Sequence, residues 1–192
     1  MLFALQRAEH WNRTSTKPHV RARRKQLPPL WRNGPLTLYH GTVLKHWREI
    51  ERDGVRVDRG RTGTDFGPGF YTTADLVQAG HWAAALGRSM NAPAVVISAD
   101  VDRDLLASLD TLYFVRGHEG ADDFWSFVRH CRGGARSHAR GGKRLYDVVV
   151  GPVSRNYKRR LAYEDMDQIS FHTPEALAVL NLVTWSGDDP IR

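Results

Sequence analysis

Four groups of residues in this chain have types suited to chemistry, and they follow one another in a fixed order. The first is His40-Gly41-Thr42; the second is Gly67-Pro68-Gly69-Phe70-Tyr71-Thr72-Thr73. Trp82 follows Tyr71 by eleven residues, and Gln168 comes much later, within Asp167-Gln168-Ile169-Ser170-Phe171. A neutral imidazole holds one donor and one acceptor near pH 7. Aromatic faces stack flat rings and attract cationic ones. Glycine lets a backbone come close to whatever it faces. Taken singly, each residue has a plainer reading. His40 before a glycine is a turn residue, Tyr71 in a strand and Trp82 on an alanine-rich helix are core, and Asp65 caps a turn.

The elements that must carry these residues are legible from period and punctuation. Leu36 to Tyr39 reads as a short strand that ends at His40-Gly41-Thr42. Leu44, Trp47 and Ile50 recur as on one face of a helix over Val43 to Arg52, which Gly54 terminates. A loop rich in Gly, Arg and Asp runs from Asp58 to Gly69, and Phe70-Tyr71-Thr72-Thr73 forms a strand. Asp75 with Gln78 resembles a capping box, ahead of a stripe of Leu76, Ala79, Ala83 and Leu86. Ala94 to Ala99, Tyr146 to Val150 and Gln168 to Phe171 read as strands, and Phe124, Phe127 and Val128 as a helix that stops near Gly133. Thr173-Pro174-Glu175 starts a last helix with Thr as cap and Pro at its first position. Strands and helices in irregular order predict an α+β domain.

Charge divides the chain. Of 28 Lys and Arg and 21 Asp and Glu, residues 1–36 hold eight bases and one acid, so the whole excess of +7 lies there. Leu27-Pro28-Pro29-Leu30 and Asn33-Gly34-Pro35 close this arm as a linker, which sets a domain boundary near residue 36 and a second domain over 37–192. A basic arm suits nucleic acid or an acidic partner protein; the plain alternative is a solvated tail. One cysteine, Cys131, fits a reducing compartment. With neither a signal-peptide pattern nor a long apolar run, a cytoplasmic protein without a membrane partner is expected. His118, His130 and His138 lack zinc-ligand spacing with Cys131, so no metal is expected.

In order, spacing and element type, these segments resemble the ADP-ribosyltransferase superfamily, in particular its diphtheria-toxin-like and poly(ADP-ribose) polymerase branch. Leu38 to Thr42 is similar to the His-Gly strand that opens that family's NAD site, and Asp65 to Thr73 to its Phe-Gly-x-Gly-aromatic-Tyr segment. Trp82 stands where the polymerases place a second stacking aromatic. Tyr146 to Val153 and the Gln-x-x-Phe strand followed by Ala176-Leu177 resemble a bacterial group of small uncharacterised domains of this fold, and several toxins of toxin–antitoxin and phage-defence systems share the superfamily fold. The resemblance covers most of residues 37–181. It implies split mixed and antiparallel sheets with flanking helices, and NAD as co-substrate. NAD would be bound by His40, Gly41, Thr42, Gly69, Phe70, Tyr71 and Trp82. In that reading His40 bonds a ribose hydroxyl, the Gly41 backbone reads the nicotinamide carboxamide, Tyr71 and Trp82 clamp the nicotinamide ring, and His40, Tyr71 and Gln168 form the catalytic set.

Gln168 departs from the family, which carries a glutamate there. An amide keeps the hydrogen bond to the ribose 2′-OH but loses the charge that steadies an oxocarbenium-like transition state. Three readings stand: Gln168 acts with a base from the substrate, Glu164 reaches in from the preceding loop, or the domain binds NAD without turnover. The resemblance favours a mono-ADP-ribosyltransferase that modifies nucleic acid or protein, with an antitoxin or immunity protein as a further partner. Alternatives are an NAD glycohydrolase, an RNA 2′-phosphotransferase and a non-catalytic NAD- or nucleic-acid-binding module. Two basic clusters suit single-stranded nucleic acid: Arg129, Arg132, Arg136, Arg140, Lys143 and Arg144, and Arg155, Lys158, Arg159 and Arg160 around Tyr157.

Overall fold

The computed structural model describes residues 34–115, 122–139 and 145–184. The basic arm up to residue 33 and the positions of Arg140, Lys143, Arg144 and His118 lie outside the described residues. The described part is α+β, with two separate sheets and flanking helices, as expected.

The first sheet has the order β1-β3-β7, from Leu36–Val43, Ala94–Val101 and Leu180–Thr184, with both pairings antiparallel. The second has the order β2-β6-β5-β4: Phe70–Thr72, Leu161–Phe171, Val148–Asn156 and Thr111–Tyr113. It is mixed, because β4 runs parallel to β5 while the other pairs are antiparallel. Two backbone bonds between Tyr39 and Thr73, of 2.7 and 2.9 Å, fasten β1 to the end of β2 and so join the sheets.

Alternation along the strands sorts the core. Leu38 of β1, Phe70 of β2, Val148 of β5, Phe171 of β6 and Val101 of β3 meet in one cluster. On the opposite face of the second sheet, Val149 packs with Phe66 and with Phe124, Trp125, Phe127, Val128 and Cys131 of helix α4, Asp122–Arg132. Helix α4 carries Asp122 and Asp123 in its first turn and Arg129, His130 and Arg132 in its last, which complements the helix dipole. Helix α1, Leu44–Asp53, ends at Gly54, whose N–H closes on the Ile50 carbonyl. Helix α2, Leu76–Met90, is capped by Asp75, whose carboxylate accepts from Val77 and Gln78 N–H. Only half of the expected capping box forms, because the Gln78 side chain turns away to donate to the Asp167 carbonyl at 2.8 Å. Helix α3, Arg103–Ala107, precedes β4, and Thr173 caps helix α5, Pro174–Leu177, with proline at its start as expected.

Three boundaries differ from expectation. β1 does not stop at His40 but continues through Val43, with His40 opposite Ile97 and Gly41 opposite Val96. β5 starts later than Tyr146 and extends through Gly151-Pro152 to Asn156. β6 starts at Leu161, well before Gln168. Between the pairs Ser154↔Ala162 and Pro152↔Asp167, residues 163–166 of β6 stand against Val153 alone, so this strand carries a wide bulge just before Gln168.

Candidate functional site

His40 sits within β1, where the junction with β2 brings it onto the second sheet. Its Nδ1 lies 2.6 Å from the Tyr71 carbonyl oxygen, and its ring rests on Phe70 with centroids 4.4 Å apart. A carbonyl only accepts, so Nδ1 must carry the proton, and the neutral ring is left with a bare lone pair on Nε2. Burial pushes the His40 pKa below its ordinary value, assisted by nearby His46 and opposed by the bond to Tyr71. His40 is therefore neutral at pH 7. Thr42 is buried, with its hydroxyl 3.5 Å from His46 Nδ1.

Gly41 has a role in packing. A Cβ built there would stand 2.1 Å from the Ala79 carbonyl oxygen and 2.8 Å from the Ala83 nitrogen, so α2 lies directly against the β1 backbone. Trp82 is next to Ala83 in α2 and is 47% exposed, with no other described ring in contact. Gln78, one turn earlier, ties the same helix to β6 through Asp167.

Tyr71 and His40 do meet, but through the Tyr71 backbone. The Tyr71 side chain points to the other face of β2 from Phe70 and packs against Phe66 at 6.4 Å and His172 at 6.3 Å. Its hydroxyl accepts from Phe66 N–H at 2.9 Å and lies within donating distance of the Gly67 carbonyl at 2.7 Å and Thr64 Oγ1 at 3.0 Å. Burial pushes its pKa up, so it stays protonated at physiological pH. This hydroxyl fixes the 64–67 loop. Gly69 allows His172 to approach; a Cβ at Gly69 would stand 2.7 Å from His172 Nδ1.

Tyr71 pairs with Ser170, so Gln168 falls on the same face of the sheet, two residues earlier on β6. Gln168 is 8% exposed, and its Nε2 donates to Asp65 Oδ2 at 2.9 Å and to the Pro152 carbonyl at 3.1 Å. Both partners are pure acceptors, which fixes the amide's sense: its NH₂ points inward and Oε1 is the remaining atom. Neither His40 Nε2 nor Gln168 Oε1 is among the buried atoms that lack a partner, and each has a hydrogen-bonding capacity to spare.

Asp65 holds this corner together. Its carboxylate is 2% exposed, and Oδ2 accepts from Ser154 N–H at 2.8 Å as well as from Gln168. Oδ1 receives Arg132 Nε at 2.7 Å. A buried carboxylate is tolerable only when matched in this way by a cation and by donors. Sequence alone reads Asp65 as a turn cap and Arg132 as part of a basic patch, whereas they form a buried ion pair. The one signal in the chain is an acid directly before Phe-Gly-x-Gly. Glu164 is exposed and lies on the bulge of β6, on the strand itself and not in a loop before it; the acid in contact with Gln168 is Asp65.

A second polar nest lies beside Tyr71. His172 stands 2.8 Å by Nδ1 from the Pro68 carbonyl and 2.7 Å by Nε2 from Ser170 Oγ. His138 accepts from Tyr146 N–H at 2.9 Å, and the rings of His138 and His172 meet edge to face at 4.5 Å. Burial lowers both histidines to about 4; for His172 the neighbouring His138 lowers it further and the Pro68 carbonyl opposes. Both flank a cleft of about 320 Å³ that also includes Asp58, Arg136 and Pro68, and none of His40, Trp82 or Gln168 lines it. Among the described residues no three of His, Cys, Asp and Glu gather as a metal site, and no helix is long and apolar enough to cross a membrane.

The basic clusters are thinner in space than in sequence. Arg132 is spent on Asp65, and Arg160 pairs with Asp122 at 2.8 Å. Tyr157 packs against the Phe66–Phe124 cluster, which takes up the ring expected to stack on bases. Arg129, Arg136, Arg155, Lys158 and Arg159 are exposed.

The class that these elements define is a two-sheet α+β domain with a polar corner where β1, β2, β6 and α2 meet. The chain belongs to the DUF3990 family, described as a protein of unknown function, which matches residues 36–160. The match spans His40, Asp65, Tyr71, Trp82 and Arg132 and ends before β6. No curated protein matches the chain.

Proposed function

We propose that this domain has an ADP-ribosyltransferase-like fold, binds NAD at the β1–β2–β6–α2 corner, and transfers ADP-ribose singly to a macromolecule. One observation carries the reading. His40, which rests on the Phe70 face of the second sheet, and Gln168, on its Tyr71 face, each have their N–H groups committed to protein acceptors, so each keeps only a lone pair to offer, the polarity that a hydroxyl donor requires. His40 Nε2 and Gln168 Oε1 would accept from ribose hydroxyls, and the exposed Trp82 would stack on the nicotinamide. Tyr71 supports the reading differently from expectation, by holding the 64–67 loop in place. In the reaction the ribose C1′–nicotinamide bond breaks with its electron pair leaving on nicotinamide. An acceptor oxygen or nitrogen then bonds C1′ and releases its proton.

Gln168 cannot supply negative charge, so the acceptor must be deprotonated from the substrate side, and chain elongation is not expected. Nucleic acid is the favoured acceptor class, through exposed Arg155, Lys158 and Arg159 on the β5–β6 hairpin, with protein next. The same amide supports one second reading, an NAD-binding module without turnover. The test is incubation of the full chain with NAD labelled in its adenylate, together with RNA, DNA and cell protein. Label in RNA or DNA supports the favoured acceptor, and label in protein the other. Free ADP-ribose alone marks a glycohydrolase, and binding without nicotinamide release marks the module.

A further inference from the structure

We infer that Asp65, held by Arg132, is the positioning residue that sets the sense of the Gln168 amide and lends it the negative charge that the side chain itself lacks. The ligand that Gln168 faces rests on the reading proposed above; the coupling between the two side chains does not.

A lone glutamine amide can flip by half a turn about its last bond, exchanging an acceptor for a donor. A flipped Gln168 would present NH₂ outward and could no longer accept from a hydroxyl. Here the flip would set Oε1 against both Asp65 Oδ2 and the Pro152 carbonyl, at 2.9 and 3.1 Å. Oxygen lone pairs would oppose each other at both contacts, inside a site where low polarity magnifies the cost. The carboxylate therefore locks the amide with its oxygen outward.

Charge follows the same path. Accepting from Nε2, the anionic Oδ2 pushes electron density along the amide toward Oε1, as hydrogen-bonded chains polarise one another. Arg132 neutralises the other carboxylate oxygen, Oδ1, and Ser154 N–H completes Oδ2. The acid is thus stable while buried, and its partner cation stands on the side away from the glutamine contact. A family glutamate would place a charge directly at the ribose. This chain places the charge one hydrogen bond behind it.

The arrangement accounts for why an amide stands at 168. A glutamate there would bring two carboxylates to within 2.9 Å of each other and a carboxylate to within 3.1 Å of a carbonyl. Residues 65 and 168 are therefore a matched pair, and exchanging their chemistry should be tolerated better than changing either one alone.

The test is a four-member cycle on the full chain: wild type, Asp65→Asn, Gln168→Glu, and the two together. Urea unfolding is read at pH 7.5, and NAD turnover is read as nicotinamide released. Each single change is expected to lower the folding equilibrium constant at least tenfold. The double change should recover at least tenfold of the summed loss, because the amide introduced at position 65 can donate to the carboxylate introduced at position 168. Asp65→Asn should also lower kcat by roughly 10- to 100-fold with KM changed less than about threefold, the range for a residue acting through a contacting partner. Strict additivity in unfolding overturns the inference. So does an Asp65→Asn protein with unchanged kcat. If the wild type neither binds NAD nor releases nicotinamide, the functional reading fails, and the unfolding cycle alone decides the pairing.

Discussion

Gly41→Ala is the most demanding single change that the structure allows near the site. A methyl group there would lie 2.1 Å from the Ala79 oxygen, and ordinary contact begins near 3.4 Å, so α2 must retreat by more than an ångström or β1 must bend. Both obstructing atoms belong to the backbone of a helix interior and cannot swing aside. Overpacking of a well-filled core costs about 1–3 kcal/mol, and this contact belongs at the upper end, about 3 kcal/mol. For a domain of this size that is a fall in Tm of roughly 6–12 °C. Gly34→Ala is the control, since nothing lies within 4 Å of its added methyl, and its Tm should stay within about 2 °C of wild type. Differential scanning calorimetry of the three proteins reads the effect. Because α2 also carries Trp82, the displaced helix should weaken NAD binding beyond what the lost stability alone would cause. If Gly41→Ala melts with the wild type, α2 does not pack against β1 as described, and the position of Trp82 fails with it.

Trp82→Ala removes an exposed ring, so stability should change by less than about 0.5 kcal/mol while NAD affinity falls by about tenfold or more, the scale of one stacking contact; calorimetric titration separates the two. Tyr71→Phe leaves the Phe66 N–H without its acceptor and should cost about 1–3 kcal/mol in chemical denaturation. His138 and His172 are held neutral, with folded values of about 4 against an ordinary 6.5. The unfolded chain therefore binds more protons between those values. Their stabilisation is complete above pH 6.5 and is lost as pH falls toward 4, so urea midpoints should drop between pH 7 and pH 5, and His172→Gln should flatten that slope. In Gln168→Glu the new carboxyl faces Asp65 and must keep its proton well above the ordinary carboxylate range. Here the sign reverses, and stability relative to wild type should worsen as pH rises through the raised value.

Much of the frame is legible in the sequence because local rules govern it. Asp75 and Thr173 cap their helices from within a few residues, Gly54 closes α1, and the Phe124, Phe127 and Val128 spacing marks the buried face of α4. A glycine after histidine reads as the end of a strand, yet β1 runs on because Gly41 is required by α2 in the third dimension. The polar run Tyr163-Glu164-Asp165-Met166-Asp167 conceals the start of β6, since bulged residues need not alternate. The 3-residue strand β4 offers too few positions for any period to show. Asp65 is the least legible residue of the corner. Its partners lie 67, 89 and 103 residues away, and no local pattern distinguishes a buried carboxylate from a turn cap when every matching donor is distant. Type and spacing single out Tyr71 and Gly41 but give no sign of their structural contacts, since one also anchors a loop and the other also seats a helix.

The reading stands or falls on His40 offering its Nε2 lone pair to a ribose hydroxyl of NAD. The most direct measurement is nicotinamide release from NAD by the wild-type chain beside His40→Ala. Measurable release by the wild type is predicted, with a fall of at least tenfold in kcat/KM for the variant and its circular dichroism unchanged. Equal release by the two proteins, or none by a wild type shown to be folded and supplied with RNA, DNA and protein acceptors, would contradict it.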